Sequence, residues 1–219
     1  VPYGVGNSAA LIELIQALRP SAIHCTPSYL AKLETVLENE FPGTRPIALG
    51  LRLGLLAGEG GLQDANFRKR IEDTWGLRAM NANYGVSEAL SIIGAECCER
   101  AGLHFMADGV LLPELIDPAT GKSISFERGA QGELVVTNLC REAQPVVRYR
   151  TRDVIRIVDA APCPCGRAGF RFEVLGRSDD MLVIKGINLF PNTIGAIIHA
   201  LGGSLTGEYR IRVAKQELL

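Results

Sequence analysis

Tyr84-Gly85-Val86-Ser87-Glu88 follows a predicted strand, the position at which ligands of open α/β sheets collect. An aromatic ring there can stack on a flat base, a glycine lets the backbone approach, a hydroxyl can contact phosphate, and a carboxylate can hold Mg²⁺. The same residues also suit a helix N-terminus, with Ser87 as cap and Glu88 favouring the dipole, and composition does not separate the two readings. Tyr149-Arg150-Thr151-Arg152-Asp153 ends one predicted strand and begins another. Asp153 could accept two hydroxyl hydrogen bonds from a ribose while the neighbouring arginines keep it ionised; an exposed, ion-paired turn is the plainer reading. Gly176-Arg177-Ser178-Asp179-Asp180, followed by Lys185-Gly186, suits either a hinge or an ordinary β-turn.

The cysteines and a histidine form the fourth constellation. Cys163-Pro164-Cys165-Gly166 is a tight pair with a glycine leaving room for a turn around an ion, and Cys97 and His104 lie upstream, with Cys98 as an alternative to Cys97. Three thiolates and one imidazole are the usual choice for structural Zn²⁺, with no open catalytic position. Free buried cysteines or a redox pair are the competing readings; the redox pair lacks a thioredoxin-like βαβ context. Cys25 and Cys140 read as core thiols, and His24 and His199 as ordinary packed or surface histidines.

The elements that must position these residues fall into three patterns. In the first, Leu11, Leu14, Ile15 and Leu18 mark a helix capped by Asn7 or Ser8 and stopped by Pro20. A buried strand at Ala22 to Thr26, a helix carrying Leu30, Leu33, Val36 and Leu37, a strand at Leu51 to Ala57, a helix at Asp64 to Trp75 and a strand at Leu77 to Asn83 follow. This alternation predicts a mostly parallel α/β sheet. From about Leu103 to Leu175, short strands are expected at His104 to Met106, Leu111 to Ile116, Glu133 to Asn138, Val146 to Tyr149, Val154 to Val158 and Phe170 to Val174. They read as antiparallel structure, a small distorted barrel or second sheet, with a hairpin loop at Asp117 to Gly121. After Gly176, a strand at Met181 to Ile184, a helix from Pro191 carrying Ile194, Ile197, Ile198 and Leu201, and a strand at Tyr209 to Val213 predict a separate β-α-β unit. The expected boundaries are 1–102, 103–176 and 177–219.

Composition narrows the function class. Across 219 residues, 23 Lys and Arg balance 24 Asp and Glu, so the net charge of −1 leaves no electrostatic footprint for nucleic acid or an anionic membrane. With 47% hydrophobic and 21% charged residues the chain can bury a core. No apolar run approaches the roughly 20 residues that a bilayer requires. Without a signal-peptide pattern, the expected location is the cytoplasm, where the six cysteines need not form disulfides. The start at Val1 and the end at Leu219 lead to the expectation of a fragment of something longer.

In this order the segments resemble the adenylate-forming acyl-CoA synthetases, most closely the phenylacetate-CoA ligase family and its coenzyme F390 synthetase relatives. The likeness covers essentially the whole chain. It runs through the Cys25-Thr26-Pro27-Ser28-Tyr29 turn, Gly58-Glu59, YGVSE at Tyr84 to Glu88, ECCERAGLH, GELVVTNL at Gly132 to Leu139, PVVRYRTRD at Pro145 to Asp153 and GRSDDMLVIKGINLFP at Gly176 to Pro191. It implies an α/β fold: the parallel-sheet half of an adenylate-forming large domain, a small antiparallel β subdomain, and the start of a small α+β C-terminal domain. It implies ATP-dependent, AMP-forming ligation of an aryl or related carboxylic acid to CoA through an acyl-adenylate, and it allows a homodimer. By position, Tyr84 and Gly85 resemble the adenine-stacking and acyl-site elements, Ser87 a phosphate contact, Glu88 the Mg²⁺ ligand, Asp153 the ribose acceptor and Arg177 its cationic neighbour. Asp179 resembles the domain hinge, Gly58 and Glu59 a loop against the nucleotide and acyl groups, and Lys185 and Gly186 a loop near the pantetheine channel. Cys97, His104, Cys163 and Cys165 match the zinc site that some members carry.

The chain also departs from the family pattern. No Ser/Thr/Gly-rich phosphate loop precedes Tyr84, Gly58-Glu59-Gly60-Gly61 lacks hydroxyls, the small domain's catalytic lysine is missing, and Asn83 replaces an expected apolar residue. Without those donors the chain alone is expected to be a poor catalyst. A catalytically silent nucleotide- or zinc-binding module, or acyl transfer to an acceptor other than CoA, are the alternative functions.

Overall fold

Asn7 opens the first helix as the periodicity predicts. In the computed structural model, which describes residues 6–184, 187–191, 194, 197–198 and 210–211, its side chain accepts from the Ala10 amide, and α1 runs Ser8–Leu18. Thr26 caps α2, Pro27–Glu40, whose first turn takes Pro27 without losing a bonded amide. Asp64 caps α3, Ala65–Trp75, and Gly76 ends it with φ 66°, the left-handed turn that glycine adopts without strain. Between them lie β1, Ala22–Cys25, a 3₁₀ turn at Pro46–Leu49, and β2, Leu53–Ala57; β3, Arg78–Val86, follows α3. The order β1-β2-β3 is parallel, with α2 and α3 as crossovers. Ile12, Leu30, Leu33, Ile71 and Trp75 bury into one apolar cluster with Leu56 and Ala79 from the strands. The expected buried strand β1 proves to be an edge strand, alternately exposed because among the described residues it pairs only with β2.

After β3 the pairing turns antiparallel. The strands are β4, Leu90–Glu96; β5, Leu103–Phe105; β6, Leu111–Ile116; β7, Ser123–Ile124; β8, Gln131–Asn138; β9, Tyr149–Asp159; and β10, Arg171–Arg177. They extend the same sheet, in the order β1-β2-β3-β4-β5-β10-β9-β8-β6-β7 over ten strands. The antiparallel strands are therefore a continuation of the parallel sheet and not a separate one. The change comes inside β3, where Asn83 still opposes Ala57 of β2 in parallel while Tyr84 opposes Gly94 of β4 antiparallel. A second apolar cluster around Phe172, Phe105, Leu134 and Ile155 lies under this part of the sheet.

Three local expectations are corrected. The Tyr84 to Glu88 segment is no helix start: Tyr84–Val86 finish β3, and Ser87 and Glu88 form the tight turn into β4, closed by Ala89 N–H to Val86 O at 3.0 Å. Of the strand expected at Val146 to Tyr149 only Tyr149 is in a strand; it opens β9, which contains the strand expected at Val154 to Val158 and is kinked at Arg152 (φ 67°), where its register against β8 shifts. Cys140 is exposed, in the loop that leaves β8, rather than a core thiol. The Asp117 hairpin is as expected, with one carboxylate oxygen accepting from the Ala119 and Thr120 amides at 3.0 and 2.7 Å.

Beyond β10, β11, Leu182–Ile184, pairs antiparallel with β12, Ile187–Leu189, so a hairpin precedes the expected helix. Pro191, Ile194, Ile197 and Ile198 are helical, and Leu201 and His199 lie outside the described residues. So does the expected strand at Tyr209 to Val213, apart from Arg210 and Ile211, which are not in a strand.

Candidate functional site

The β3 switch creates a cleft. Where a strand leaves parallel for antiparallel pairing, its neighbours splay, and the space beyond the end of β2 stays open as a cavity of about 1010 Å³. Gly58 and Glu59 line it from the end of β2, Tyr84, Gly85, Ser87 and Glu88 from the β3–β4 hairpin, and Asp153 and Arg177 from β9 and β10. Long-range pairing thus gathers four separate sequence segments. Lys185 and Gly186 lie outside the described residues.

Asp153 is the electrostatic centre of this wall. The Tyr84 hydroxyl donates to its Oδ2 at 2.7 Å, and Arg177 Nη1 stands 3.7 Å from its Oδ1. Burial pushes the Asp153 carboxyl above the usual range, and the Tyr84 hydrogen bond and Arg177 act against that rise. Burial, reinforced by the Asp153 charge, also pushes the Tyr84 phenol far up, so it stays a neutral donor. Phe172, fully buried, meets the Tyr84 ring edge-on with centroids 5.4 Å apart, which fixes the ring's plane at the cleft. Gly85 is required by contact: a Cβ there would lie 2.0 Å from the Ser91 carbonyl oxygen.

The remaining predicted residues take distinct places. Glu88 sits at the turn, its own carbonyl held by Arg141 Nη1 at 2.6 Å, while its carboxylate has no hydrogen-bond partner among the described residues. Glu59 turns its carboxylate onto the first turn of α2, accepting from the Ser28 amide at 2.9 Å and from the Ser28 hydroxyl at 2.5 Å. Beside it, burial and the Glu59 charge push the Cys25 thiol up to about 12, which keeps it inert. Arg177 grips Asp179 with two bonds of 2.9 and 2.7 Å, and the Ser178 amide donates to Arg152 O at 2.6 Å, so the 177–180 turn is anchored to β9. Arg177 and Asp179 are about half exposed, and such a solvent-screened pair contributes little to stability.

Several supporting residues carried no signal in the sequence. Glu133, with a fully buried side chain, is clamped by Arg150 at 3.0 and 2.6 Å behind the Asp153 segment. Arg68 of α3 pairs with Glu96 of β4 at 2.9 and 2.8 Å along the cleft. Arg141 and Phe172 complete the set. Each acts through contacts across a long sequence separation, and no local spacing marks it.

At the far end of β4 and β5, Cys97, His104, Cys163 and Cys165 converge, with all ligand atoms within 4.8 Å of one another. A tetrahedral ion with Zn–S near 2.3 Å and Zn–N near 2.05 Å sets sulfurs roughly 3.8 Å apart and S to N roughly 3.6 Å. Cys97 Sγ to Cys163 Sγ is 3.8 Å, and Cys165 Sγ to His104 Nε2 is 3.6 Å. The donor set and spacing therefore fit such an ion. Cys98 points away, exposed, its thiol 3.5 Å from the Glu99 carboxylate, which decides between the two adjacent cysteines.

No protein-family model matches the chain. It is 37% identical over 195 residues to the phenylacetate-coenzyme A ligase of Pseudomonas putida, covering 89% of this chain and 42% of that protein. It is 36% identical over 222 residues to the phenylacetate-coenzyme A ligase of Thermus thermophilus, covering 100% of this chain and 48% of that protein. Among solved structures, 2-hydroxyisobutyryl-CoA ligase in the postadenylation state in complex with R3-HIB-AMP superposes with a TM-score of 0.81 at 28% identity, over 94% of this chain and 43% of that one. The mixed sheet with its cleft at the parallel-to-antiparallel switch is the fold of the adenylate-forming CoA ligases. Within that class the chain is a homologue of the phenylacetate-coenzyme A ligases, and it spans about half the length of the curated relatives it matches.

Proposed function

We propose that this chain is the nucleotide- and hinge-bearing half of an AMP-forming ligase that joins an aryl or related carboxylic acid to CoA. The observation that carries the reading is the Tyr84–Asp153–Arg177 constellation beside Glu88 on the wall of one cleft. In the reaction, a carboxylate oxygen attacks the α-phosphorus of ATP, the α–β P–O bond breaks and pyrophosphate leaves. The CoA sulfur then attacks the acyl carbon, the acyl–phosphate C–O bond breaks and AMP leaves.

Asp153 has the two acceptor oxygens that ribose hydroxyls need, and Tyr84 and Arg177 favour its ionised form against the opposing effect of burial. The Tyr84 face packs the base, Gly85 lets the acyl group approach the backbone, and Ser87 donates to phosphate. Mg²⁺, when bound at Glu88, neutralises phosphate charge. The 177–180 turn is the pivot, with Asp179 as the residue that changes conformation and Arg177 as its partner. Gly58 and Glu59 close the acyl side. Cys97, His104, Cys163 and Cys165 hold a structural Zn²⁺ that ties β4, β5 and the loop before β10. A reducing, cytoplasmic setting keeps those thiols available as ligands.

The test uses a polypeptide carrying this segment together with the rest of the relatives' length. Arylacetate-dependent exchange of pyrophosphate into ATP is expected, and Asp153→Ala should depress it directly. Asp179→Pro, fixing φ near −65°, should affect adenylation and CoA capture unequally. No acid-dependent exchange would refute the activity; equal losses from Asp179→Pro in a folded protein would reduce the pivot to a turn.

A further inference from the structure

We propose that Arg171 is a positioning residue of the Cys₃His centre, holding the Cys163 sulfur by an N–H···S hydrogen bond and balancing the charge of the loaded site. The inference rests on the metal reading above. On β10, Arg171 opposes His104 of β5 on one side and Asp159 of β9 on the other, so the sheet register itself points the side chain at the centre. Its side chain is 8% exposed, and Nη1 lies 3.8 Å from Cys163 Sγ.

The other two sulfurs make their contacts within the ligand set, Cys97 Sγ at 3.8 Å from Cys163 Sγ and Cys165 Sγ at 3.6 Å from His104 Nε2. For Cys163 the donor found among the described residues is the guanidinium of Arg171. A cation this buried calls for a counter-charge. Its carboxylate partner, Asp159, stands at 3.5 Å and is 31% exposed, whereas Arg68–Glu96 and Arg150–Glu133 close to 2.8 and 2.6 Å. Nε of Arg171 is buried with no partner among the described residues, so Asp159 does not explain the placement. Three thiolates around a divalent cation carry a net charge of −1, and one buried guanidinium offsets it.

The test measures zinc transfer from the purified chain to the chelator 4-(2-pyridylazo)resorcinol, with the Co²⁺-substituted protein read by its sulfur-to-cobalt charge-transfer band. Arg171→Met should release zinc about 10- to 100-fold faster, the range for loss of an outer partner. It should also move the cobalt band to longer wavelength, because a sulfur without its donor gives up charge more easily. Arg171→Lys, which keeps the charge and guards against a variant that does not fold, should restore release part of the way. Asp159→Asn should release within about twofold of the parent. Release and band unchanged in Arg171→Met, or Asp159→Asn accelerating release as much as Arg171→Met, would overturn the proposal. A parent protein with neither zinc nor a cobalt band would overturn the metal reading itself, a result that metal analysis gives before any variant is made.

Discussion

Replacing Cys163 by serine tests the proposed metal centre at the residue where two elements meet. Cys163 is buried, 3.8 Å from Cys97 Sγ, and with Cys165 it links the loop before β10 to the end of β4 and to His104 on β5. Losing one of the soft ligands removes part of the roughly 10–16 kcal/mol that structural zinc contributes in small domains. A loss of only about 3 kcal/mol would lower Tm by about 6–12 °C, at roughly 2–4 °C per kcal/mol for a chain of this size. The assay is elemental analysis with thermal melting, with and without a chelator. One zinc per chain is expected in the parent, less in Cys163→Ser, and a chelated parent should melt like the variant. Cys98→Ser, at an exposed thiol outside the cluster, should change neither quantity. Substoichiometric zinc in unchelated protein, or a Cys163→Ser protein that keeps its metal and its Tm, would refute the reasoning.

Two further outcomes follow from the cleft. Gly85→Ala places a Cβ 2.0 Å from a backbone oxygen that cannot swing away, so the β3–β4 hairpin must open. It should cost at least about 1–3 kcal/mol, and AMP titration and melting of the variant should both report it. Tyr84→Phe removes the hydrogen bond that opposes the burial-driven rise of the Asp153 carboxyl, so that carboxyl should stay protonated to higher pH. Because ribose hydroxyls need the ionised acceptor, AMP affinity should fall on acidification in both proteins and begin to fall at higher pH in Tyr84→Phe. The sign for stability is set by the same raised carboxyl: its contribution is present at low pH and is lost as pH rises through the folded-state value. An acid limb that does not move in Tyr84→Phe would separate Asp153 from nucleotide binding.

The helices were legible because their signals are local: Asn7, Thr26 and Asp64 cap where caps were expected or where a turn began, and apolar residues repeat at helical spacing. The convergence of Cys97, His104, Cys163 and Cys165 was legible for a different reason, since cysteine and histidine are few in the chain and the choice among them is small. β4 was missed because Ser91 and Gly94 interrupt its alternation, and Gly94 is there to admit Phe172, whose ring a Cβ would meet at 2.8 Å. The helix-start reading of YGVSE failed because Ser87 and Glu88 serve a hairpin turn as readily as a cap, and the antiparallel pairing of Tyr84 with Gly94 decides between them. Arg141, Glu133 and Arg171 act across strands brought together by the sheet, so no window along the chain contains both them and what they hold.

The central claim, that this cleft binds an adenine nucleotide through Asp153, is tested most directly by calorimetric titration of the chain with AMP and with 2′,3′-dideoxy-AMP. Two ribose hydroxyls on one carboxylate should make AMP bind at least about tenfold more tightly, since each bond to a charged group contributes roughly 1.5–3 kcal/mol. Asp153→Ala should weaken AMP binding and remove that preference. Equal binding of the two nucleotides by the parent chain, or no saturable binding of AMP at all, would contradict the account.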